Sequence, residues 1–212
     1  MTRRHRLVVL ASGQGTNAQA VIDASRPGGA LPADVVAVVS DVESAPVLER
    51  ARRHSIDAVA LPRLPDEKRS DYDRRLLEVV DSFRPDTIVL AGWMRILSMA
   101  FLGPIGCPVV NLHPALPGEL PGVRAIERAF AERDHGRRES GVMIHLVDDE
   151  GVDVGPVLGS ERVPLLADDS WEEFSERMHR TERELLVGIL ASFLGRSDAD
   201  QNSSETSSRG AR

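Results

Sequence analysis

Apolar residues along this chain form two kinds of pattern: short uninterrupted runs and longer segments with the spacing of an amphipathic helix. Five runs predict strands over 7–11, 34–40, 58–61, 87–92 and 107–111, and the segments between them predict helices over 18–25, 45–54 and 66–83. The first and fourth runs lack the alternation of half-exposed strands, as expected for parallel strands buried on both faces. This order of elements predicts an α/β fold with a doubly wound, mostly parallel sheet.

The second half continues with a predicted helix over 123–132, strands over 140–147 and 155–163, and a last helix that begins at Ser170. Ser170 and Glu173 have the spacing of a capping box at the start of that helix. Glu182 falls inside its apolar stripe, where an unpaired carboxylate would cost several kcal/mol. We therefore expect Glu182 to meet a basic side chain or a substrate amine, unless it lies at the edge of the stripe and reaches solvent.

The chain length and composition are typical of one globular domain. Of 212 residues, 42% are hydrophobic and 28% are charged. We predict a single domain over 1–195, followed by a disordered tail over 196–212, because that segment has too few apolar residues to bury. The net charge of −7 argues against a nucleic-acid partner, since binding to phosphates along a strand needs a basic face.

The cysteine content and the absence of long apolar runs indicate the compartment. Cys107 is the only cysteine, which excludes an intramolecular disulfide and fits a reducing environment. No apolar run has the length of a membrane span, and the basic N-terminus is not followed by a signal-peptide pattern. These features predict a cytoplasmic protein without a membrane partner.

A glycine-rich loop follows the first predicted strand and leads into the first helix. It contains Gly13, Gly15, Thr16 and Asn17. Backbone N–H groups in such a loop can approach an anion closely, and the positive end of the helix dipole favours phosphate. A tight turn without a ligand is the alternative interpretation, since Thr16 and Asn17 are also common where helices start.

The same loop fits a second pattern, that of a dinucleotide-binding fold. Gly13, Gly15 and Ala18 match G-x-G-x-x-A, and Asp41 after the second strand is placed to hold a ribose. Short glycine patterns recur by chance, so this match is weak. It keeps a nicotinamide-dependent reductase open as an alternative function.

Asn111 and His113 are two residues apart in the run Val-Val-Asn-Leu-His-Pro. In an extended segment, side chains two apart point to the same face. An amide donor beside an imidazole that titrates near neutral pH suits reactions at a carbonyl group. The alternative is structural: Asn111 would cap a turn, and His113 would be a hydrogen-bonded, partly buried histidine.

Two further loops carry candidate site residues. After the fourth strand, Met94, Ile96 and Leu97 are placed either to line an apolar slot for a flat ring or to pack in the core. The segment 148–153 has four carboxylates, but it lacks the regular spacing of a calcium loop, and we predict no metal site there. Asp153 is the carboxylate nearest the next strand and is therefore expected to be held most rigidly.

Four motifs occur in the order typical of one enzyme family. They are Ser-Gly-x-Gly-Thr-Asn, Gly-Trp-Met-Arg-Ile-Leu, Asn-Leu-His-Pro and Val-Asp-Val-Gly-Pro-Val, and the resemblance they carry spans residues 7–194. The chain resembles the glycinamide ribonucleotide formyltransferases, which implies a Rossmann-like formyltransferase fold. It departs from many members at Arg124, where histidine is frequent, and in the loop before Asp153, which is one residue longer than in some.

The resemblance implies formyl transfer from 10-formyltetrahydrofolate to the amine of glycinamide ribonucleotide, in purine biosynthesis. The implied catalytic residues are Asn111, His113 and Asp153, with Asn111 and a protonated His113 stabilising the oxyanion and Asp153 raising the pKa of His113. The implied residues for the ribonucleotide are Gly13, Gly15, Thr16, Asn17 and Glu182. Those for the folate are Met94, Arg95, Ile96, Leu97, Val142, His145 and Val147.

The expected partners are therefore two small molecules, with no metal, and a homodimer is one possible assembly. Two related activities and a purely regulatory role are less favoured. A hydrolase of the same formyl donor would carry an extra N-terminal regulatory domain, and a methionyl-tRNA formyltransferase would carry a basic C-terminal domain. A regulatory module that only binds nucleotide would not need the set Asn111, His113 and Asp153.

Overall fold

The computed structural model describes residues 3–209, with side chains described for residues 3–195. Its centre is a seven-stranded sheet in the order β3-β2-β1-β4-β5-β6-β7. The strands are β1 His5–Leu10, β2 Ala33–Ser40, β3 Asp57–Ala60, β4 Thr87–Leu90, β5 Val109–His113, β6 Glu139–Leu146 and β7 Val157–Pro164. The first five strands pair in parallel, while β6 pairs antiparallel with both β5 and β7. The predicted α/β, mostly parallel sheet is confirmed.

The central strands are buried on both faces, as their uninterrupted apolar runs predict. Leu7 and Val9 of β1 pack in one hydrophobic cluster, and the alternating residues Val8 and Leu10 pack in the other. All four side chains are fully buried. Helices must therefore cover both faces of the sheet, which is the arrangement of a doubly wound fold.

In the part of the chain that the structure describes, six helices cover the two faces. They are α1 Thr16–Ala24, α2 Pro46–Arg53, α3 Arg69–Ser82, α4 Met99–Leu102, α5 Ala125–Ala131 and α6 Trp171–Arg209, and a 3-10 turn over Glu132–His135 follows α5. Side chains of α1, α2, α5 and α6 pack in the first cluster, and side chains of α3 and α4 pack in the second. The short helix α4 and the 3-10 turn have no counterpart in the sequence predictions, because each is only one turn long.

The fifth strand differs from its prediction in a way that matters for the site. It begins two residues later than expected and continues through His113. Asn111 and His113 therefore lie within the strand, where backbone pairing with β6 fixes their direction.

The last helix begins where the capping box predicts. Ser170 Oγ accepts a hydrogen bond from the backbone N–H of Glu173, and Glu173 accepts one from the backbone N–H of Ser170. The predicted tail, residues 196–212, begins within α6, which extends to Arg209. Side chains are described only to residue 195, and the boundary between domain and tail stays a prediction. Among the described residues, no helix is long and apolar enough to cross a membrane.

Candidate active site

A cavity opens at the carboxyl ends of β4 and β5. The strand order reverses between β1 and β4, and open α/β sheets bind ligands at the carboxyl ends of strands beside such a reversal. The lining residues are Leu90, Trp93, Met94, Arg95, Ile96, Leu97, Asn111, His113, Pro114, Gly122, Val123, Arg124, His145, Val147, Asp149, Gly151, Val152 and Asp153.

Strand β5 directs Asn111 and His113 toward this cavity. Both side chains line it, while Val110 and Leu112, on the other face of the strand, pack in the hydrophobic core. The prediction that Asn111 and His113 share a face is confirmed. Their positions are fixed by the buried apolar neighbours, which cannot exchange faces without a change of register.

His145 lies beside Asn111 because β6 pairs antiparallel with β5 and places the two residues opposite each other. Nδ1 of His145 is 2.8 Å from the carbonyl oxygen of Leu146, which can only accept a hydrogen bond. In the neutral ring Nδ1 therefore carries the proton, and Nε2 accepts a hydrogen bond from the amide nitrogen of Asn111 at 3.0 Å. This contact orients the Asn111 amide within the site.

Asp153 completes the polar cluster from the loop before β7. Its Oδ1 accepts a second hydrogen bond from the Asn111 amide at 3.3 Å, and its Oδ2 accepts one from the backbone N–H of Gly122 at 2.8 Å. Burial by itself raises the pKa of Asp153. The imidazole of His145 at 3.6 Å, the hydrogen bond from Gly122 N–H and the proximity of His113 outweigh burial, so the pKa lies below its usual value. Asp153 is therefore an anion at neutral pH.

His113 is almost fully buried between two oxygen atoms. Its Nε2 lies 3.1 Å from the carbonyl oxygen of Leu120, and its Nδ1 lies 3.3 Å from Oδ2 of Asp153. Burial lowers the pKa of His113 below its ordinary value of 6.5, and this effect exceeds the opposite influence of Asp153. The expectation of a protonated His113 is therefore wrong for the protein without ligands. Asp153 acts in the expected direction, but desolvation of the imidazolium is the larger effect.

Of the seven residues predicted to bind the folate, six line the cavity and one does not. Met94, Arg95, Ile96, Leu97, His145 and Val147 line the cavity. Val142 does not; it is fully buried in the core on the opposite face of β6. The physical reason is strand alternation, since Val142 and His145 are three residues apart and so point to opposite faces.

The glycine-rich loop lies beside this cavity without lining it. Gly15 has a φ of 73°, and a Cβ atom there would lie 2.6 Å from Cβ of Val47, so glycine is required. The carbonyl oxygens of Gly13 and Gln14 accept hydrogen bonds from Val47 N–H and Arg50 Nε of helix α2. With these carbonyls occupied, the first N–H groups of α1 remain as the groups that can bind an anion.

Ser12 connects the glycine-rich loop to the cavity wall. Its backbone N–H donates to the carbonyl oxygen of Gly92 at 2.9 Å, and its Oγ accepts a hydrogen bond from the backbone N–H of Met94 at 3.0 Å. Thr16 and Asn17 form the first turn of α1, and the side-chain oxygen of Asn17 is buried without a partner among the described residues. An anion site in this loop would therefore adjoin the cavity.

Glu182 has the partner that its burial requires. The residue is 5% exposed, and its carboxylate lies 2.7 Å from Nδ1 of His179, one turn earlier on α6. The hydrogen bond to Glu182 raises the pKa of His179. Glu182 does not line the cavity, so the structure does not bring it together with Asn111, His113 and Asp153.

The sequence predictions did not include Leu120 and Gly122, which supply backbone groups to His113 and Asp153. His145 was predicted as a pocket residue and lines the cavity, but its hydrogen bond to Asn111 was not predicted. Their roles depend on strand pairing and on loop conformation, for which the sequence has no local signal. Among the described residues, no cluster of three or more His, Cys, Asp or Glu side chains is arranged to hold a metal ion.

Comparison with known proteins identifies the family. A formyl transferase family model matches residues 5–190. Phosphoribosylglycinamide formyltransferase of Dictyostelium discoideum is 40% identical over 195 residues, covering 85% of this chain and 94% of that protein. The protein of the same name from Escherichia coli (strain K12) is 37% identical over 187 residues, covering 88% and 86%. Glycinamide ribonucleotide transformylase 1 from Geobacillus kaustophilus has a TM-score of 0.82 at 37% identity, covering 91% of this chain and 100% of that one. The resemblance seen in the motifs is confirmed: this chain belongs to the formyl transferase family.

Proposed function

We propose that this protein transfers a formyl group from 10-formyltetrahydrofolate to the amino group of glycinamide ribonucleotide. The observation that carries the proposal is the polar cluster of Asn111, His113, His145 and Asp153 at one end of a largely apolar cavity. Relatives of similar length carry the name of this activity. The reaction is a step of purine biosynthesis, and we expect it to take place in the cytoplasm.

The cavity is suited to the folate, which has a flat bicyclic ring system. Met94 and Ile96 are partly exposed on its wall, and Val147 lies at the end of β6 on another side. Apolar side chains on both sides of a flat ring would exclude water, while backbone groups of the loops supply polar contacts. The formyl group would then point toward Asn111.

The ribonucleotide would bind between the cavity and the glycine-rich loop. We assign its phosphate to the N–H groups of Gly15, Thr16 and Asn17, because a helix N-terminus favours an anion. Its amine would reach the formyl carbon from the side of Ser12, which joins the loop to the wall. Glu182 remains a candidate for a contact with the ribonucleotide at the α6 side.

The reaction begins when the amine nitrogen attacks the formyl carbon and the carbonyl oxygen becomes an oxyanion. The Asn111 amide is the donor we assign to that oxygen. Its hydrogen bond to Asp153 is the longer of its two, at 3.3 Å, and is therefore the one that the oxyanion would replace. A donor of this kind contributes roughly 3–4 kcal/mol of transition-state stabilisation.

His113 and Asp153 would carry out the proton transfer from the amine to the folate nitrogen. With the proton on Nε2 held by Leu120, Nδ1 of neutral His113 has a free electron pair beside the Asp153 carboxylate. His113 would accept a proton from the attacking amine, directly or through a water, and Asp153 would stabilise the imidazolium. The C–N bond to the folate then breaks, and the proton returns to the departing folate nitrogen.

The test is a formyl-transfer assay with purified protein. We expect release of tetrahydrofolate from 10-formyltetrahydrofolate only when glycinamide ribonucleotide is present, with formation of the formylated ribonucleotide. Equal release without the amine would indicate a hydrolase and would overturn the proposal. Asn111→Ala provides the control, since background release by a contaminating enzyme would be unaffected by it.

A further inference from the structure

The wall segment of the cavity, residues 93–98, has neither helical nor strand structure. Its side chains differ in exposure. Met94 and Ile96, on the cavity wall, are 63% and 44% exposed, whereas Leu97, which also borders the cavity, is 2% exposed and packs in the hydrophobic cluster that contains Tyr72. The exposed side chains cannot hold the segment in place, so its conformation depends on contacts on the inner side.

Hydrogen bonds fix the two ends of this segment. The backbone N–H of Met94 donates to Ser12 Oγ at 3.0 Å, and the backbone N–H of Ser98 donates to the buried carboxylate of Asp73 at 2.7 Å. Between these points lies Arg95, whose side chain is only 24% exposed. Its guanidinium is therefore the polar group available to hold the middle of the wall.

The Arg95 guanidinium is held by two groups from different elements. Its Nη1 lies 3.6 Å from Oδ2 of Asp41, which follows β2, and its carbon Cζ lies 4.5 Å from the centre of the Tyr72 ring on α3. Tyr72 is fully buried, and its hydroxyl donates to the carbonyl oxygen of Leu61 at 2.9 Å. A cation between a carboxylate and the face of a rigid aromatic ring is attracted to both.

The contact with Arg95 gives Asp41 a role other than the ribose contact that the dinucleotide-binding pattern implies. Its side chain is 10% exposed, and its Oδ1 atom is buried without a partner among the described residues. A carboxylate in that environment is costly without a cation. Arg95 is the cation that the structure provides, so the two groups depend on each other.

We propose that Arg95 is a positioning residue of the folate site, which acts through Asp41 and Tyr72 to hold Met94 and Ile96 in their places on the cavity wall. This inference rests on the proposed function for the identity of the ligand. It assigns Arg95 no contact with the reacting atoms. The polar cluster on β5 and β6 is attached to other elements, so loss of Arg95 should weaken folate binding and leave the chemical step nearly intact.

The test compares Arg95→Met and Asp41→Asn with the unchanged protein. The probe is 5-formyltetrahydrofolate, a stable folate, with its Kd measured by calorimetry, beside kcat and KM for formyl transfer. We expect Arg95→Met to raise Kd and KM about ten-fold, the size of one cation–π contact plus one partly screened ion pair, with kcat within about two-fold. Asp41→Asn should act in the same direction, and the double variant should be no worse than Arg95→Met alone. Arg95→Lys should restore part of the affinity.

Arg75→Met is the matched control. Arg75 also lies over the Tyr72 ring, at 5.5 Å, but it pairs with Glu67, and neither residue lines the cavity. Its loss should lower the melting temperature without changing Kd. Hydrogen exchange of residues 93–97 in ligand-free protein gives an independent readout, which should rise in Arg95→Met and Asp41→Asn and stay unchanged in Arg75→Met.

The outcomes separate this inference from the proposed function. If Arg95→Met raises Kd while Asp41→Asn changes neither Kd nor exchange, Arg95 contacts the ligand directly and the positioning role is wrong. Unchanged Kd and exchange in Arg95→Met would also overturn it. Failure of the unchanged protein to bind the folate would instead overturn the proposed function, and the inference with it.

Discussion

The polar cluster on β5 and β6 differs from the glycine-rich loop after β1 in the kind of group that forms the site. In the cluster, side chains form the site: Asn111, His145 and Asp153 are joined by hydrogen bonds of 3.0 and 3.3 Å. In the loop, the backbone forms the site: Gly15 has a left-handed conformation, and helix α2 binds the loop's carbonyl oxygens. Both regions lie at the carboxyl ends of the parallel strands.

This difference indicates how each region responds to mutation. A side-chain cluster is sensitive to the exchange of one polar atom, even when size and backbone are preserved. A backbone site tolerates changes of polarity but not of conformation. The comparison therefore predicts large catalytic effects with intact folding in the cluster, and conformational effects in the loop.

The largest effect is expected for Asp153→Asn. Asp153 has a φ of 57°, a conformation that asparagine also adopts readily, so the change removes charge without adding backbone strain. We expect kcat to fall about 10³- to 10⁴-fold, as when a carboxylate that orients a catalytic imidazole becomes an amide. Single-turnover kinetics measure the effect, and circular dichroism checks that the fold persists. A loss in kcat of less than ten-fold would indicate that Asp153 has only a structural role.

The same variant has a defined pH signature. Burial holds the pKa of His113 below 6.5, and the Asp153 charge partly opposes that shift. The neutral form of His113 therefore stabilises the fold above pH 6.5, and this contribution is lost as pH falls toward the lowered pKa. Without the charge the pKa falls further, so the acid limb of kcat/KM should move to lower pH. An NMR titration of His113 in both proteins measures the shift, and a limb that stays fixed or moves upward contradicts this arrangement.

The next largest effect is expected for Asn111→Ala. Loss of an oxyanion donor should lower kcat about 10²- to 10³-fold while KM for both substrates changes little. Combined with Asp153→Asn, the loss should be much smaller than the product of the two, because the residues act in one unit. If the loss in kcat of the double variant equals the product of the two single losses, the residues act independently.

The fold was predictable where local pattern determines it. The buried runs of β1 and β4 and the capping box of α6 give signals that do not depend on distant residues. Alternation within β5 likewise predicts that Asn111 and His113 share a face. The same rule, applied to β6, places Val142 and His145 on opposite faces, so their different environments also follow from local pattern.

Candidate residues of the site could be predicted from the sequence, but their contacts across neighbouring strands could not. The pairing of His145 with Asn111 follows from the antiparallel register of β6, and many registers fit the same apolar pattern. The lowered pKa of His113 depends on burial by the loop that carries Leu120. In contrast, the partner of Glu182 lies three residues earlier on the same helix, so His179 was visible in the sequence.

In the loop, the expected effect is on stability. Gly15→Ala places a methyl group against Val47 and forces an L-residue into a φ of 73°. We expect a loss of about 1–3 kcal/mol in the free energy of unfolding. Gly13→Ala is the matched control, because a Cβ there has no atom within 4 Å. Urea denaturation of both variants measures the difference, and equal stabilities would show that the loop conformation is less constrained than the contacts indicate.

The smallest effect is expected at Ser12, which joins the two regions. Ser12→Ala removes the acceptor for the Met94 N–H, a bond that is exposed enough for water to replace, so its loss should cost about 0.5–1.5 kcal/mol. If the bond transmits binding between the regions, calorimetry should show that glycinamide ribonucleotide strengthens folate binding less in this variant. Ser25→Ala is the control, since the Ser25 hydroxyl donates to Val21 at the far end of α1. An unchanged mutual effect of the two ligands would mean that the side-chain cluster and the backbone loop bind their substrates independently, although they share one edge of the sheet.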